Sequence, residues 1–389
     1  MTYLGLSTAF LQKENALNTA KEIQQQPEIW QKIFEQIKQN NKEIKDYVFK
    51  ALEESNKIFL MGAGTSAYIG LSLAGYYFKK TGKHSQPVAT TDFVSHPDNY
   101  LNENDVLLLI SFARSGNSPE SVAATKLADQ YSKKCFHLVI TCDPEGELAL
   151  YHSQNPKYLV LLPKETNDKS LAMTSSYTGM LLTGFLLADM ESISTLDKDI
   201  QQLVNYGENI IKNYSAIIQE IASNNFKRAV FLGSGALYGT AVESGLKLQE
   251  LTDGKVICKD DTYLGFRHGP KAVVDESTIV VYLLSNDPYV LKYEHDLVKS
   301  VAGSKKALVQ IGVSETPQTD DELDFNFVLS TGGRQICEEL LTVCSVLTGQ
   351  MLGFFKSLNL GLSPDAPSKS GAISRVVKGV KIYPKIKTN

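Results

Sequence analysis

The chain has 389 residues, 43% of them hydrophobic and 21% charged, with a formal net charge of −4 and an isoelectric point of about 5.9. A single hydrophobic core rarely holds so long a chain, so we expect two domains of ordinary size. A slightly acidic chain without a basic stripe is not typical of proteins that bind nucleic acid or anionic membranes. The composition therefore favours a small-molecule ligand.

The cysteines and the amino terminus indicate a cellular compartment. Five cysteines are present, an odd number without a CxxC motif, which predicts neither a disulfide framework nor a zinc site. The first residues lack the basic and apolar regions of a leader, and no apolar run reaches about 18 residues. We therefore expect a cytoplasmic protein without a membrane-spanning segment. No residue spacing calls for a metal or another cofactor.

Hydrophobic patterns in the first half of the chain predict alternating helices and strands. Residues 27–55 carry apolar side chains at helical spacing, and residues 57–61 are typical of a short buried strand. A glycine-rich turn at 62–66 and a helical pattern follow, and further apolar strands are predicted at 106–110 and 137–141. Such strands between helices indicate an α/β fold, with a parallel sheet covered on both faces.

The same order of elements recurs in the second half at a nearly constant offset. A strand at 228–232 ends at Gly233, which aligns with Gly62. At nearly the same offset, Thr278 aligns with Val106 and Lys305 aligns with Lys133. Three matches in order predict a duplicated domain. The expected division is an amino-terminal helical segment at 1–55, domains at 56–195 and 225–362, a connecting helix at 196–224 and a tail at 363–389.

A cluster of serines with one arginine, SFARSGNSPES at 111–121, follows a predicted strand of the first copy. Ser118 suits the N-cap of the next helix, whose free N–H groups favour an anion. Thr65 and Ser66, in the glycine-rich turn, meet the same crevice at the carboxyl end of the sheet. Neither nucleotide-binding fingerprint is present, which favours a phosphorylated small molecule over a nucleotide, the alternative being simple helix capping. The equivalent loop at 283–288 lacks this cluster, and we expect no phosphate there.

The predicted proton chemistry lies in the second copy. Glu243, Lys247 and Glu250 are spaced so that they share one face of a predicted helix. A polar loop is predicted at 259–262, and His268 precedes a Gly-Pro turn that would hold its imidazole in place. A glutamate and a histidine presented in this way can share proton transfer, within one chain or across a subunit interface. The alternative is a solvated ion-pair face and an ordinary loop histidine.

Together, five stretches of the sequence resemble the sugar isomerase (SIS) family: GTS at 64–66, SFARSGNSPES at 111–121, ESGLKLQEL at 243–251, HGP at 268–270 and SPDAPSKSGAISRVVKGVKIY at 363–383. Within that family the chain resembles the galactosamine-6-phosphate deaminase/isomerases, once called tagatose-6-phosphate ketose/aldose isomerases. The isomerase half of glucosamine-6-phosphate synthase is a more distant relative. The resemblance covers residues 45–383 and implies two tandem SIS domains, each a flavodoxin-like arrangement of a parallel sheet between helical layers.

The resemblance also implies roles for individual residues. The family's sugar-phosphate positions are matched by Ser66, Arg114, Ser115 and Ser118. Glu250 matches the base that moves a proton between C1 and C2, and His268 matches the acid and base that opens the sugar ring. Lys247 matches the cation beside the base, and Lys369 lies where a lysine of the synthase tail enters the site.

The activity implied is that of a deaminating aldose–ketose isomerase, which converts galactosamine 6-phosphate into tagatose 6-phosphate and ammonia. The synthase's glutamine-hydrolysing domain is absent from the sequence, so we expect ammonia to be released rather than consumed. Three alternatives stay open: an isomerase of neutral sugar phosphates, a glucosamine-6-phosphate deaminase and, least favoured because Glu250 and His268 are both present, a sugar-phosphate sensor. The resemblance also implies a homo-oligomer, either a dimer or a dimer of dimers.

Overall fold

The computed structural model describes residues 1–304, 306–318, 322–377 and 379–385. The amino-terminal segment begins with a short antiparallel hairpin and continues as helices. Its elements are β1 (Thr2–Tyr3), β2 (Leu6–Ser7), α1 (Thr8–Lys13), α2 (Leu17–Gln24), α3 (Gln26–Gln39) and α4 (Asn41–Glu54). The helical pattern predicted at 27–55 therefore corresponds to two helices, which are separated at Asn40.

Two five-stranded parallel sheets follow, one in each half of the chain. The first half contains β3 (Lys57–Gly62), α5 (Thr65–Thr81), β4 (Ser85–Ala89), α6 (Thr90–Ser95), β5 (Val106–Ala113), α7 (Pro119–Tyr131), β6 (Lys134–Thr141), α8 (Glu147–Leu150), β7 (Lys157–Leu161) and α9 (Ser175–Ala188). After the connecting helix α10 (Asp197–Ser223), the second half contains β8 (Arg228–Leu232), α11 (Leu237–Leu251), β9 (Ile257–Asp261), α12 (Tyr263–Phe266), β10 (Thr278–Leu283), α13 (Pro288–Ala302), β11 (Val309–Ser314), β12 (Phe325–Val328) and α14 (Glu338–Asn359).

The strand orders of the two sheets are the same, which confirms the predicted α/β fold and its duplication. The first sheet runs β4-β3-β5-β6-β7 and the second runs β9-β8-β10-β11-β12. Every strand pair within them is parallel. Lys305, the first residue of the third sequence match, lies outside the described residues. The central strands β3, β5, β8 and β10 are almost wholly apolar because helices cover both faces of each sheet.

The prediction of a polar loop at 259–262 was wrong, because residues 257–261 form the edge strand β9. One side of this strand pairs with β8, from Arg228 opposite Ile257 to Leu232 opposite Asp261. Its side chains are only partly buried, so polar residues are tolerated and the hydrophobic signal of a strand is missing. The edge strand β4 of the first sheet, SQPVA, lacked a strand signal for the same reason.

Helix α14 forms much of the core between the two halves. It packs against α10 and α11, and all of its residues from 340 to 357 are buried. Within the described residues it is the one helix whose length and composition would suit a membrane span, and that apolar stretch lies wholly inside the protein. Its apolar character is therefore accounted for by core packing.

The two halves meet where α5 packs closely on α11. Gly239 of α11 lies so near α5 that a Cβ atom there would stand 2.6 Å from the carbonyl oxygen of Tyr68 and would also overlap Ser72. Backbone atoms on α5 cannot move aside cheaply, so this contact requires glycine. The close approach brings the amino-terminal end of α5 next to the middle of α11.

We expect Gly239→Ala to lower the free energy of unfolding by about 1–3 kcal/mol, because the added methyl group overpacks the contact between α5 and α11. Gly75 is a matched control, since it lies exposed inside α5 and a Cβ there would meet no atom within 4 Å. Gly75→Ala should instead stabilise the protein by about 0.5–1 kcal/mol. Urea unfolding measures both, and equal stabilities of the two variants would contradict this account of the interface.

Candidate active site

A cavity of about 620 Å³ opens at the carboxyl ends of β3 and β5 in the first sheet. Open parallel sheets bind ligands outside the carboxyl ends of their strands, at the point where the strand order reverses. The wall includes residues from the first half, the second half and the carboxyl-terminal tail. Its polar and charged members are Thr65, Ser66, Thr91, Arg114, Ser115, Ser118, Glu120, Ser121, Lys247, Glu250, Ser374 and Arg375.

Hydroxyl groups form the wall of the cavity that belongs to the first half. Thr65 and Ser66 begin α5, after Gly64, whose φ of 55° gives the turn its left-handed backbone. Ser118 is the N-cap of α7, but its side chain does not bond to the helix. Within the described residues, neither the Ser66 nor the Ser118 hydroxyl has a hydrogen-bond partner in the protein. Both are free to bind a ligand, beside two helix N-termini that favour an anion.

Arg114 contributes a positive charge to the same region, although its N–H groups bind backbone. Its Nη1 donates to the carbonyl oxygens of Ser170, Leu171 and Ala172, at 3.1–3.5 Å. Its Nη2 donates to the carbonyl of Arg375 in the tail at 2.7 Å. The residue is only 7% exposed, and within the described part of the chain no carboxylate forms an ion pair with it. Its charge is therefore not paired directly, although the carboxylates of Asp168 and Glu250 lie near enough to favour it.

An ion-pair cluster on α11 forms the opposite wall. Lys247 is fully buried and its Nζ lies 2.6 Å from Glu250 Oε2. The same ammonium donates to the Thr65 hydroxyl at 3.0 Å, across the boundary between the two halves. Burial alone would lower the pKa of Lys247, but the carboxyl groups of Glu243 and Glu250 outweigh it and raise this pKa. Lys247 is thus a cation whose position is fixed beside the partly exposed Glu250 carboxylate.

Glu243 lies behind Lys247, on the side away from the cavity. Its side chain is completely buried, with Oε1 3.4 Å from Lys247 Nζ and no well-formed hydrogen bond. Burial raises the pKa of Glu243 to about 8, an effect that the nearby Lys247 charge only partly offsets. The predicted alternative of a solvated ion-pair face therefore does not describe this helix, because two of its three charged groups are buried.

Two of the predicted site residues lie outside the cavity wall of a single chain. His268 is exposed in the turn between α12 and Pro270, where Gly269 has a φ of 125°. Lys369 is exposed in the tail, shortly before the segment that reaches the cavity. Thr65, Ser66, Arg114, Ser115, Ser118, Lys247 and Glu250, in contrast, all line the cavity.

The tail residues 371–377 also line the cavity, and Arg375 is the one tail cation among the described lining residues. Lys369 was predicted to enter the site, whereas Arg375 was not. The available signal was weak, because a charged residue in an irregular tail has no periodicity that would show which way it faces. Only the folded chain shows that the tail returns to the first domain.

The equivalent crevice of the second half is filled by the chain itself. Gly235 corresponds to Gly64 in the repeat and has nearly the same φ, 56° against 55°. A Cβ at Gly64 would meet open space, whereas at Gly235 it would stand 3.3 Å from Glu338 Oε1. The other oxygen of Glu338 accepts a hydrogen bond from the Ser285 hydroxyl. A carboxylate of α14 thus occupies the place where the first half has its cavity.

A further cluster, Asp129, Cys135 and His137, has ligand atoms within 4.8 Å of one another, as a metal site would require. Asp129 already accepts hydrogen bonds from the side chains of Tyr151, Ser153 and Asn155, and bonds to His137 Nε2 at 2.6 Å. Burial raises the pKa of the Cys135 thiol well above its usual value. We interpret the cluster as a buried structural network, since its carboxylate has no lone pair left for a metal.

Comparison with known proteins agrees with this geometry. The profile of the SIS domain matches residues 51–190. The crystal structure of a protein from Clostridium novyi NT, described as a putative tagatose-6-phosphate ketose/aldose isomerase, superposes with a TM-score of 0.96, at 38% identity, covering 99% of this chain and 100% of that one. The isomerase of the same name from Escherichia coli gives 0.85 at 35% identity, covering 94% and 96%. The fold and the cavity therefore define a protein with tandem SIS domains.

The family within this class follows from sequence similarity over the whole chain. The D-galactosamine-6-phosphate deaminase AgaS of Shewanella sp. (strain ANA-3) is 40% identical over 389 residues, which covers 99% of this chain and 96% of that protein. AgaS of Escherichia coli O157:H7 is 38% identical over 371 residues, covering 94% of this chain and 95% of that protein. The chain belongs to the AgaS family.

The filled crevice of the second half predicts a pH-dependent stability. Glu294 is buried there, with Oε2 accepting from the Ser285 N–H at 2.8 Å and Oε1 unpartnered. Burial raises the pKa of Glu294 to about 8. In the folded protein Glu294 therefore keeps a proton that the unfolded chain loses near the ordinary pKa of a glutamate. Its contribution to stability is fully present below about pH 5 and is lost as the pH rises to about 8.

We expect Glu294→Gln to flatten the stability profile, because an amide accepts the same hydrogen bond and does not titrate. The difference from the unsubstituted protein should grow from pH 5 to pH 8 to at most roughly 4–5 kcal/mol. Chemical unfolding at several pH values measures it, with the exposed Glu276→Gln as the matched substitution. Parallel profiles for Glu294→Gln and the unsubstituted protein would show that Glu294 is not protonated in the folded state.

Proposed function

We propose that this chain converts galactosamine 6-phosphate into tagatose 6-phosphate and ammonia. The observation that carries the proposal is the pair of Lys247 and Glu250, which faces the free hydroxyl groups of Ser66 and Ser118 across one cavity. One side offers a base next to a cation, and the other offers ligands for a phosphate. The names of the relatives, deaminases and ketose/aldose isomerases of hexose 6-phosphates, support an enzyme of this class.

In this proposal each half of the chain has its own task. The domain at 56–195 binds the phosphate through Thr65, Ser66, Ser115 and Ser118, and Arg114 adds positive charge. The domain at 225–362 supplies the proton chemistry. Helix N-termini and hydroxyl donors hold a dianion without needing a metal, and the proposed reaction uses no cofactor.

The proposed reaction begins with opening of the sugar ring, assisted by His268. Glu250 takes the C2 proton of the open aldehyde and forms an enolamine, while Lys247 stabilises the negative charge that develops on oxygen. Return of this proton to C1, with transfer of one amine proton to O1, gives a ketimine. Water hydrolyses this ketimine to the ketose 6-phosphate and ammonia.

We propose that His268 reaches the site of another subunit. It is exposed and does not line the cavity of its own chain, yet its Gly-Pro turn holds the imidazole at the surface, where a second copy could receive it. This requires a homo-oligomer, a dimer or a dimer of dimers, and we place it in the cytoplasm. A role for Lys369 stays a prediction, because the residue is exposed outside the cavity wall.

An isomerase of neutral sugar phosphates is the second candidate. It would use the same base and phosphate site, and the names of the two solved relatives favour it. It differs in releasing no ammonia. A glucosamine-6-phosphate deaminase would catalyse the same reaction on a substrate that differs only in its configuration at C4.

Purified protein without added metal should release ammonia from galactosamine 6-phosphate faster than from glucosamine 6-phosphate.

Glu250→Gln should lower kcat by about 100- to 10,000-fold, because the amide cannot accept the C2 proton, and should still bind inorganic phosphate. Glu220→Gln, an exposed change on α10, serves as the control. Ketose formation without ammonia would establish the second candidate, and full activity of Glu250→Gln would remove this residue from the reaction.

A mixing experiment tests the origin of His268. Glu250→Gln and His268→Asn should each be nearly inactive as homo-oligomers. Co-expressed as mixed oligomers, they should regain activity, since a chain with intact Glu250 then receives His268 from its Glu250→Gln partner. If His268 acts within its own chain, every site in the mixture keeps one defect and activity stays absent.

A further inference from the structure

Residues 371–377 form one wall of the cavity, although they belong to no helix or strand. Several of their hydrogen bonds are local. Ala372 N donates to Ser370 Oγ at 3.3 Å, and the Ser374 hydroxyl donates to the carbonyl of Val376 at 2.8 Å. Such bonds shape the segment but do not attach it to the domain behind it.

Within the described residues, every hydrogen bond from this segment to the protein outside the tail involves Arg375. Its Nε donates to the carbonyl of Asp168 at 2.8 Å, and its Nη2 donates to Asn167 Oδ1 at 2.6 Å. Its own carbonyl accepts from Arg114 Nη2 at 2.7 Å. One residue therefore connects the wall to the domain that carries the hydroxyl groups.

The two arginines hold the same loop, residues 167–172, from its two ends. Arg375 binds at 167 and 168, whereas Arg114 binds the carbonyls of 170–172. The loop is fixed on its far side as well. Asp168 accepts from the N–H groups of Thr174 and Ser176 at the start of α9, and Glu22 accepts from Lys169 N at 2.6 Å. The tail is thus attached to a rigid support.

We propose that Arg375 is a positioning residue, which fixes residues 371–377 as the wall that holds the substrate against Glu250. A guanidinium suits this task because its planar fork donates to two acceptors in fixed directions, which an ammonium cannot reproduce. Only the expected effect of Arg375 on turnover rests on the proposed function. The attachment of the tail is a property of the protein without substrate.

The competing role for Arg375 is that of a direct phosphate ligand. Within the described residues no carboxylate forms an ion pair with Arg375, so its charge could serve an anion. Arg114 lies close by: burial and the charge of Arg375 lower the pKa of Arg114, against the opposing charge of Asp168. The two roles differ in their response to lysine. If Arg375 binds phosphate directly, a lysine in its place should preserve part of this function. If Arg375 positions the tail, a lysine should not, because an ammonium cannot form the paired hydrogen bonds to residues 167 and 168.

Three variants test the proposal: Arg375→Lys, Arg375→Gln and, as a matched control, Lys381→Gln, an exposed cation of the same tail. Both Arg375 variants should lose about 100-fold in kcat/KM for galactosamine 6-phosphate, mainly through kcat, because the wall no longer positions the sugar. Their affinity for inorganic phosphate and their melting temperature should change little. Thermolysin, which cuts before apolar residues such as Ile373 and Val377, should cleave their tails faster, with Lys381→Gln behaving like the unsubstituted protein.

Two outcomes would overturn the proposal. Recovery of activity and phosphate affinity by Arg375→Lys, after their loss in Arg375→Gln, would make Arg375 a phosphate ligand. Unchanged kinetics with unchanged thermolysin cleavage would show that other contacts hold the tail. If the unsubstituted protein turned over no hexosamine phosphate, the proposed function would fail, and the cleavage rates would still decide how the tail is attached.

Discussion

The buried ammonium of Lys247 is the interaction on which the site depends. A charge without exposure to solvent is tolerated only with close partners, and this one has Glu250 at 2.6 Å and the Thr65 hydroxyl at 3.0 Å. Glu250 comes from the same helix, but Thr65 begins α5 of the other half. The cation is therefore fully satisfied only when the two halves are packed together. The tight contact at Gly239 brings α5 and α11 near enough for this bond, so the packing of the halves and the alignment of the base with the phosphate site are one structural requirement.

Much of the fold could be predicted because its signals are local. The apolar strands β3, β5, β8 and β10 and the recurrence of the same elements in both halves were visible in the sequence, and both are confirmed. Edge strands were missed because half-exposed strands such as β9 can be polar. The hydroxyl groups of the first half were predictable, since helix N-termini impose a recognisable pattern on residues such as Ser118.

The parts of the site that could not be predicted depend on contacts between distant segments. Nothing in the spacing of Glu243, Lys247 and Glu250 shows that two of them are buried, because the same spacing occurs on solvated helices. Burial is decided by the helices α5 and α14, which pack against α11. The position of Arg375 likewise depends on where an irregular tail lands, and its acceptors at 167 and 168 lie far away in the sequence, in the first half of the chain.

The duplication explains why one crevice is open and the other is closed. Both halves keep the left-handed glycine at the start of the crevice, Gly64 and Gly235, so the backbone cradle for an anion is present twice. In the second half, the carboxylate of Glu338 reaches that cradle and bonds to Ser285. An internal carboxyl group thus lies beside this cradle, in the space that a ligand would need. The second half thereby retains the architecture of a binding domain while its chemistry is concentrated on α11.

The charges around the open cavity fit a dianionic ligand that must come close to a carboxylate. Its wall contains the cations Arg114, Lys247 and Arg375 and the carboxylates Glu120 and Glu250. Lys247 compensates Glu250 directly, so the base adds little net repulsion toward a phosphate. If Glu243 were also ionised, that compensation would be shared between two carboxylates. Burial favours the protonated form of Glu243 and raises its pKa to about 8, and Glu243 Oε1 lies 3.4 Å from the ammonium against 2.6 Å for Glu250 Oε2. The Lys247 charge is therefore directed mainly to the side of the cluster where proton transfer is proposed.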